Sequence, residues 1–403
     1  PAKYAGTKAR KHDTFLLVAE GDSALTFLKD GIGLNNAKKL TTPGPSYDWC
    51  GRISIQGVIM NALREVTRSV STSGHVTLIK SDKLRENERL NQLMDAFGLD
   101  YARSYHTSDD VATLKYGKLL LCVDQDLDGT GKIAPLVLVW LHMFWPELII
   151  NGHIGRLMTP LIRAYPKKGN PVEFFYETDF NAWLSEDGTR ANSHSIMYYK
   201  GLAAHKSSEV AKMFTPEAFS RSVYIYTEDE CTHLRFEQYF GADSAPRKEL
   251  LATPVIPIPP ALASDLAASQ TILMGRQQLD VDTKLYKQDA TLRQIPNVID
   301  GLNPARRKIL AGAIKRFAKE SASKNLKVFQ LGGYVADNMM YHHGDMSLNG
   351  TIIYLGQSYI GARRYPYFEG VGQFGNRHGD SAGSARYIGV ELKKLIHVSF
   401  PPA

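Results

Sequence analysis

Apolar positions along the first half of the chain form short, continuous, β-rich runs separated by stretches of helical period. Thr14-Phe15-Leu16-Leu17-Val18 and Lys118-Leu119-Leu120-Leu121-Cys122-Val123 are the clearest strands. Residues 23–29 follow the first as a helix, and residues 133–144 follow the second after a glycine-containing turn. This alternation predicts βαβ units and a mainly parallel sheet. Residues 134–150 are the longest apolar stretch but contain Pro135, His142, Pro146 and Glu147. A membrane span needs ~20 predominantly apolar residues, so a buried helix is predicted and no membrane partner. Residues 174–240 turn aromatic and irregular, with strand-like text at 195–199 and 222–226, and read as an appended subregion.

Four prolines in the seven residues 254–260 can neither donate ladder hydrogen bonds nor continue a helix, which marks a boundary. Helical text resumes beyond it. Pro304 opens an amphipathic segment in which Ile309, Leu310, Ala313, Ile314 and Phe317 recur at helical spacing. Arg306, Arg307, Lys308, Lys315, Arg316 and Lys319 are interleaved with them. The expected division is therefore 1–250, a proline-rich linker 251–264, and 265–403.

A length of 403 residues accommodates two or three domains, and 43% hydrophobic with 22% charged residues is the balance of a folded protein. The net charge of +7 suits a polyanionic partner without naming it. Cys50, Cys122 and Cys231 are too few and scattered for a disulfide framework, and no C-x-x-C pair suggests zinc, so a reducing compartment is expected. The chain opens at Pro1 without an initiator Met or an apolar signal segment, as a piece of a longer protein would.

Two acidic elements carry the candidate chemistry. Asp124-Gln125-Asp126-Leu127-Asp128-Gly129 sets three carboxylates at i, i+2 and i+4, on one face if the segment is extended. Such a cluster repels itself unless a divalent cation binds, and oxygen-only ligation suits Mg²⁺ or Ca²⁺; a solvated acidic turn is the alternative. An EF-hand is excluded, because its twelfth position from Asp124 is Pro135 and an apolar strand precedes the acids. Glu20-Gly21-Asp22-Ser23-Ala24 ends the first strand as the Asp run ends the later one. The carboxyl ends of strands form the ligand crevice of parallel α/β sheets, so Glu20 and the Asp run are expected to share one site. Gly370-Val371-Gly372-Gln373-Phe374-Gly375 fits a dinucleotide pattern, and Gly379-Asp380-Ser381-Ala382-Gly383 a hydrolase elbow, but neither has the flanking elements its chemistry requires. No phosphate loop of the G-x-x-x-x-G-K-[ST] type is present.

Together these motifs resemble the breakage-reunion region of type IIA DNA topoisomerases over nearly the whole chain. The two acidic elements are similar to the halves of a TOPRIM metal site, and Tyr199-Lys200-Gly201-Leu202 to that domain's YKGL segment. Residues 295–302 with Arg306-Arg307-Lys308 resemble the opening of the winged-helix domain. Tyr341-His342-His343-Gly344-Asp345, Gly372-Gln373-Phe374-Gly375 and Ala385-Arg386-Tyr387-Ile388 resemble its catalytic half. The resemblance implies an α/β TOPRIM domain with a Rossmann-like parallel sheet followed by an α+β winged-helix domain. It implies a homodimer on double-stranded DNA, with Tyr387 forming a transient 5′-phosphotyrosyl link and releasing a 3′-hydroxyl.

By the same resemblance Arg386 and His343 hold the phosphate, and Arg386 favours the phenolate of Tyr387. Glu20, Asp124 and Asp126, supported by Asp128, bind Mg²⁺, with Mn²⁺ or Ca²⁺ as substitutes. Arg306, Arg307, Lys308 and Arg377, with Arg363-Arg364, contact DNA phosphates with little sequence preference. ATP would serve only the full-length protein, whose ATPase domain and C-terminal gate this chain lacks. The location is intracellular: the nucleus if the source is cellular, the host cytoplasm or a viral replication site if viral. Departures are visible too. Gln56-Gly57-Val58-Ile59-Met60-Asn61 stands where the family has R-G-K-x-L-N, and Asn303 and Ala305 replace the usual Lys and Gly. They suggest a member from a large nucleocytoplasmic DNA virus. Two other readings stay open: another TOPRIM phosphotransferase or nuclease acting without a tyrosine, and a non-enzymatic winged-helix DNA binder.

Overall fold

The computed structural model describes residues 11–34, 43–70, 76–199, 201–318, 325–341, 343–362 and 365–400. The predicted strands and helices form a first unit, residues 1–288, built on a six-stranded sheet. Its strands are β1 (Phe15–Ala19), β2 (Cys50–Ser54), β3 (Lys118–Cys122), β4 (Ile154–Leu157), β5 (Val223–Thr227) and β6 (Thr271–Leu273), in the spatial order β6-β5-β4-β3-β1-β2. All pairings are parallel except β4 with β5. Helix α1 (Asp22–Gly33) crosses from β1 toward β2.

Both faces of the sheet are covered. Alternate residues of β1 point to opposite sides, Leu16 and Val18 into one apolar cluster and Leu17 and Ala19 into another, and β3 divides its leucines in the same way. The apolar stretch after β3 is buried as predicted, but as two helices, α2 (Ala134–Phe144) and α3 (Pro146–Ile150). The break comes at Trp145, because Pro146 cannot continue the hydrogen-bond ladder. The appended subregion is a three-stranded antiparallel sheet, residues 162–166, 172–174 and 194–198, with helices beside it.

The unit boundary falls at residues 288 and 289 and not at the proline-rich stretch. After that stretch the chain returns as β6 to the edge of the main sheet. Asp282 then forms a fully buried ion pair with Arg156 of β4 at 3.2 Å, which ties residues 271–288 to the first unit.

The second unit, residues 289–403, holds helices α4 (Pro304–Phe317), α5 (Val328–Asn338) and α6 (Asp345–Gly356). Strands β7 (Leu326–Lys327), β8 (Phe368–Val371) and β9 (Gly389–Leu392) form a small antiparallel sheet with β9 in the middle. Ile309, Leu331, Val335, Ile352, Phe368 and Val390 meet in its core. The pseudo-dinucleotide glycines have a packing role here. Phe374 is buried against Gly356 and Gly370, where an added Cβ would come within 2.9 and 2.8 Å of its ring.

Candidate active site

Parallel pairing sets Ala19 opposite Cys122, so Glu20 and the Asp run leave the sheet at the same end of two neighbouring strands. Strand β1 is flanked by β2 on one side and β3 on the other, which makes this end a point where the chain direction across the sheet reverses. Glu20 is half-buried just before α1, and the Gly57 N–H donates to its carbonyl at 2.7 Å. Gln56 and Val58, the residues that stand where the family has basic ones, are therefore exposed beside the acidic end of β1.

The three aspartates do not share one extended face. Asp124 and Asp126 lie in the segment after β3, whereas Asp128 has helical dihedrals (φ −70°, ψ −44°) at the start of the wide helical turn Gly129–Ile133. That turn tightens onto Asp126, whose Oδ1 accepts the Gly129 N–H at 2.8 Å. Asp124 is fixed from elsewhere: its Oδ1 accepts the Leu202 N–H at 2.8 Å. Lys200 and His342 lie outside the described residues.

Burial, followed by the charges of Asp124, Asp126 and Asp128, raises the Glu20 carboxyl from its usual 4.5 to about 7, and Lys132 opposes this. Burial also pushes Asp124 up against the Leu202 N–H, and Asp126 up against the Gly129 N–H. Carboxylates that raise one another's proton affinity form an oxygen-only donor set that a hard divalent cation would relieve. Among the described residues no three His, Cys, Asp or Glu side chains already stand as a closed metal cage, so the set is convergent but open.

The YKGL resemblance gains a physical meaning. A Cβ on Gly201 would lie 2.6 Å from Asp124 Oδ2, so only glycine allows this approach, although its φ of −174° suits any residue. The loop is anchored by Glu209, which accepts hydrogen bonds from the Tyr165 and Tyr199 hydroxyls at 2.6 and 2.7 Å and from the Lys206 N–H at 2.9 Å. Burial pushes Glu209 up, but the bonds from Tyr165 and Tyr199 outweigh it and bring the carboxyl down to about 2. Gly201→Ala is expected to displace Asp124 and destabilise the chain by about 1–3 kcal/mol, the usual cost of overpacking. Thermal unfolding measures this, and a wild-type melting curve would contradict the close approach.

In the second unit, Tyr387 sits on the turn before β9 with 71% of its surface exposed, and Arg386 beside it is also exposed. His343, exposed and edge-on to Tyr341, takes a hydrogen bond from the Arg293 guanidinium at 3.3 Å. The expected DNA cations differ in availability. Arg307 grips Asp300 through both donors at 2.8–3.0 Å, and Lys308 donates to the Met340 carbonyl at 2.7 Å. Arg306 lies over the Tyr354 ring at 5.3 Å with its buried Nε unpartnered, and Arg377 is exposed. Arg363, Arg364 and Lys319 lie outside the described residues. Sequence reading missed Arg293 and Lys132. Neither has a spacing signal, and each matters only through the fold that sets it beside His343 or Glu20.

Residues 293–402 match the family model described as DNA gyrase/topoisomerase IV, and residues 157–256 match the C-terminal associated domain of TOPRIM. The chain is 48% identical over 405 residues to DNA topoisomerase 2 of African swine fever virus, covering 99% of this chain and 33% of that protein. It is 31% identical over 414 residues to DNA topoisomerase 2 of Bombyx mori, covering all of this chain and 24% of the relative. The chain thus spans about a third or less of the length of these relatives. Among solved structures it is similar to the topoisomerase II DNA-binding, cleavage and re-ligation domain of Plasmodium falciparum. There the TM-score is 0.70 at 24% identity, covering 98% of this chain and 49% of the other.

Proposed function

This chain belongs to the type IIA DNA topoisomerase family, and from that premise we propose that it is the DNA-cleavage and religation core of a type II topoisomerase. The first unit is read as a TOPRIM domain with its appended subregion and the second as a winged-helix domain. The observation that carries the proposal is the convergence of Glu20 with Asp124 and Asp126 at the carboxyl ends of β1 and β3, in a chain that also presents Tyr387 to solvent.

In this reaction the Tyr387 phenol loses its proton to solvent and its Oη attacks a backbone phosphorus. The Oη–P bond forms, the P–O3′ bond breaks, and the leaving oxygen becomes a 3′-hydroxyl while the 5′ end stays on the protein. A phenol of ordinary pKa ~10 is a poor nucleophile at neutral pH, so the guanidinium of Arg386 serves to favour the phenolate and to hold non-bridging oxygens through paired donors. His343, oriented by Arg293, adds a hydrogen bond to the phosphate. Glu20, Asp124 and Asp126 would hold Mg²⁺, with Asp128 in support; when bound, the ion supplies Lewis-acid stabilisation of charge at the leaving oxygen. Because one phosphoester replaces another, the reverse attack by the 3′-hydroxyl reseals the strand without a further cofactor.

By family analogy the tyrosine of one protomer works with the acids of the other, on double-stranded DNA held by Arg306, Arg377 and their neighbours. Duplex passage would require an ATP-hydrolysing region. Among the described residues no helix is long and apolar enough to cross a membrane. Denaturing a mixture of the protein, duplex DNA and Mg²⁺ should leave DNA covalently bound through its 5′ ends. Covalent capture absent at every Mg²⁺ concentration would instead favour a DNA binder or a phosphotransferase that works without a tyrosine.

A further inference from the structure

The turn that carries Tyr387 is held by three consecutive residues at the start of α5. The Phe329 N–H donates to the Ala385 carbonyl at 3.1 Å, and the Val328 N–H donates to the Ile388 carbonyl at 3.1 Å. Between these two backbone bonds, the ammonium of Lys327 donates to the carbonyl of Tyr387 itself at 2.6 Å. Lys327 is exposed, ends β7 and pairs with Gly389, two residues beyond the tyrosine. Its own N–H is held by the Gln330 side chain at 3.2 Å. The first donors of a helix have no partner within the helix, and here two of them close on the tyrosine turn. A turn pinned only by backbone bonds on either side would leave the Tyr387 peptide free to rotate between them, and the lysine removes that freedom.

We propose that Lys327 is a positioning residue for the nucleophile: it fixes the Tyr387 peptide, and through it the direction in which the exposed phenol leaves the turn. The inference rests on the transesterification proposed above. It assigns Lys327 to the protein's own backbone, although an exposed lysine next to a nucleic-acid site would ordinarily be read as a phosphate contact. A displacement of about 1 Å at a reacting group can cost on the order of a hundredfold in rate, whereas one exposed hydrogen bond adds little to global stability.

The test is single-turnover formation of the covalent adduct at saturating protein, with wild type, Lys327→Met and Lys327→Arg, alongside DNA affinity at several salt concentrations. Lys327→Met keeps an aliphatic stem and removes the donor. It should slow adduct formation about ten- to a hundredfold, while melting temperature, DNA affinity and its salt dependence stay at wild-type values. Lys327→Arg, which restores a donor, should recover most of the rate. If Lys327→Met instead weakens DNA binding, flattens the salt dependence by about one phosphate contact and reaches the wild-type rate at saturation, the lysine is a DNA contact and the inference is overturned. An unaltered rate with unaltered binding also overturns it. Absence of adduct in the wild-type protein would sink the underlying reading, a result distinct from any difference between variants.

Discussion

Tyr387→Phe should abolish the covalent protein–DNA adduct, lowering its yield by more than about a thousandfold, because no other group can take the place of the attacking oxygen. Folding should be almost untouched. The side chain is 71% exposed, so removal of its hydroxyl belongs with surface changes that stay within about 0.5 kcal/mol. DNA affinity should also persist, since contacts to phosphates come from cations elsewhere on the chain. Adduct at the wild-type level in this variant would remove Tyr387 from the mechanism. Adduct loss accompanied by an equal loss of DNA binding would point to a binding role for the residue.

Asp126→Asn should slow Mg²⁺-dependent cleavage about a hundredfold while slightly stabilising the metal-free chain. The substitution is a clean probe because an asparagine keeps the Oδ1 acceptor that the Gly129 N–H requires, so the turn survives and only the charge is lost. The metal-free protein offers a second readout. Glu20 has its carboxyl raised from 4.5 to about 7 by burial and then by Asp124, Asp126 and Asp128. A raised acid binds its proton more tightly folded than unfolded, so its stabilisation is complete below about 4.5 and fades as pH rises through about 7. Metal-free wild type should therefore melt higher at pH 5 than at pH 8, and the difference should shrink in Asp126→Asn. In the same window, protonation of Glu20 should weaken Mg²⁺ binding as the pH falls. Cleavage by Asp126→Asn equal to wild type across a Mg²⁺ titration would show that this carboxylate does not serve the ion.

Much of this architecture was legible in the sequence because strands β1 and β3 are continuous apolar runs, each ending in acidic residues. That pattern leaves few other ways to bury Leu16 to Val18 and Leu119 to Leu121. It also predicts that Glu20 and the Asp run emerge together, which the parallel register delivers. The spacing of the aspartates misled. A period of two places them on one face only in an extended chain, and Gly129 allows the helix to begin early enough to rotate Asp128 out of that row. The unit boundary was misplaced for a related reason. Four prolines break hydrogen bonding locally, but whether the chain leaves its domain depends on distant partners such as Arg156 for Asp282, and these have no local signature. The anchoring of Asp124 by Gly201 and Leu202, the pairing of Arg293 with His343, and the lysine beneath Tyr387 are all contacts between segments far apart in the chain. Motif resemblance marked some of these segments without showing what they do. The basic helix α4 shows the reverse. Its cations are evident from composition, yet Arg307 and Lys308 donate to protein acceptors, which no count of charges reveals.

The most direct test of the central claim is the identity of the atom that becomes attached to DNA. Trapping the adduct with denaturant in the presence of Mg²⁺, digesting it with nuclease and protease, and mapping the modified peptide should return the segment containing Ala385-Arg386-Tyr387-Ile388. Tyr387 Oη should carry the 5′-phosphate, and the released strand a free 3′-hydroxyl. A nucleotide on any other residue, or cleavage products with no peptide attached, would contradict the account.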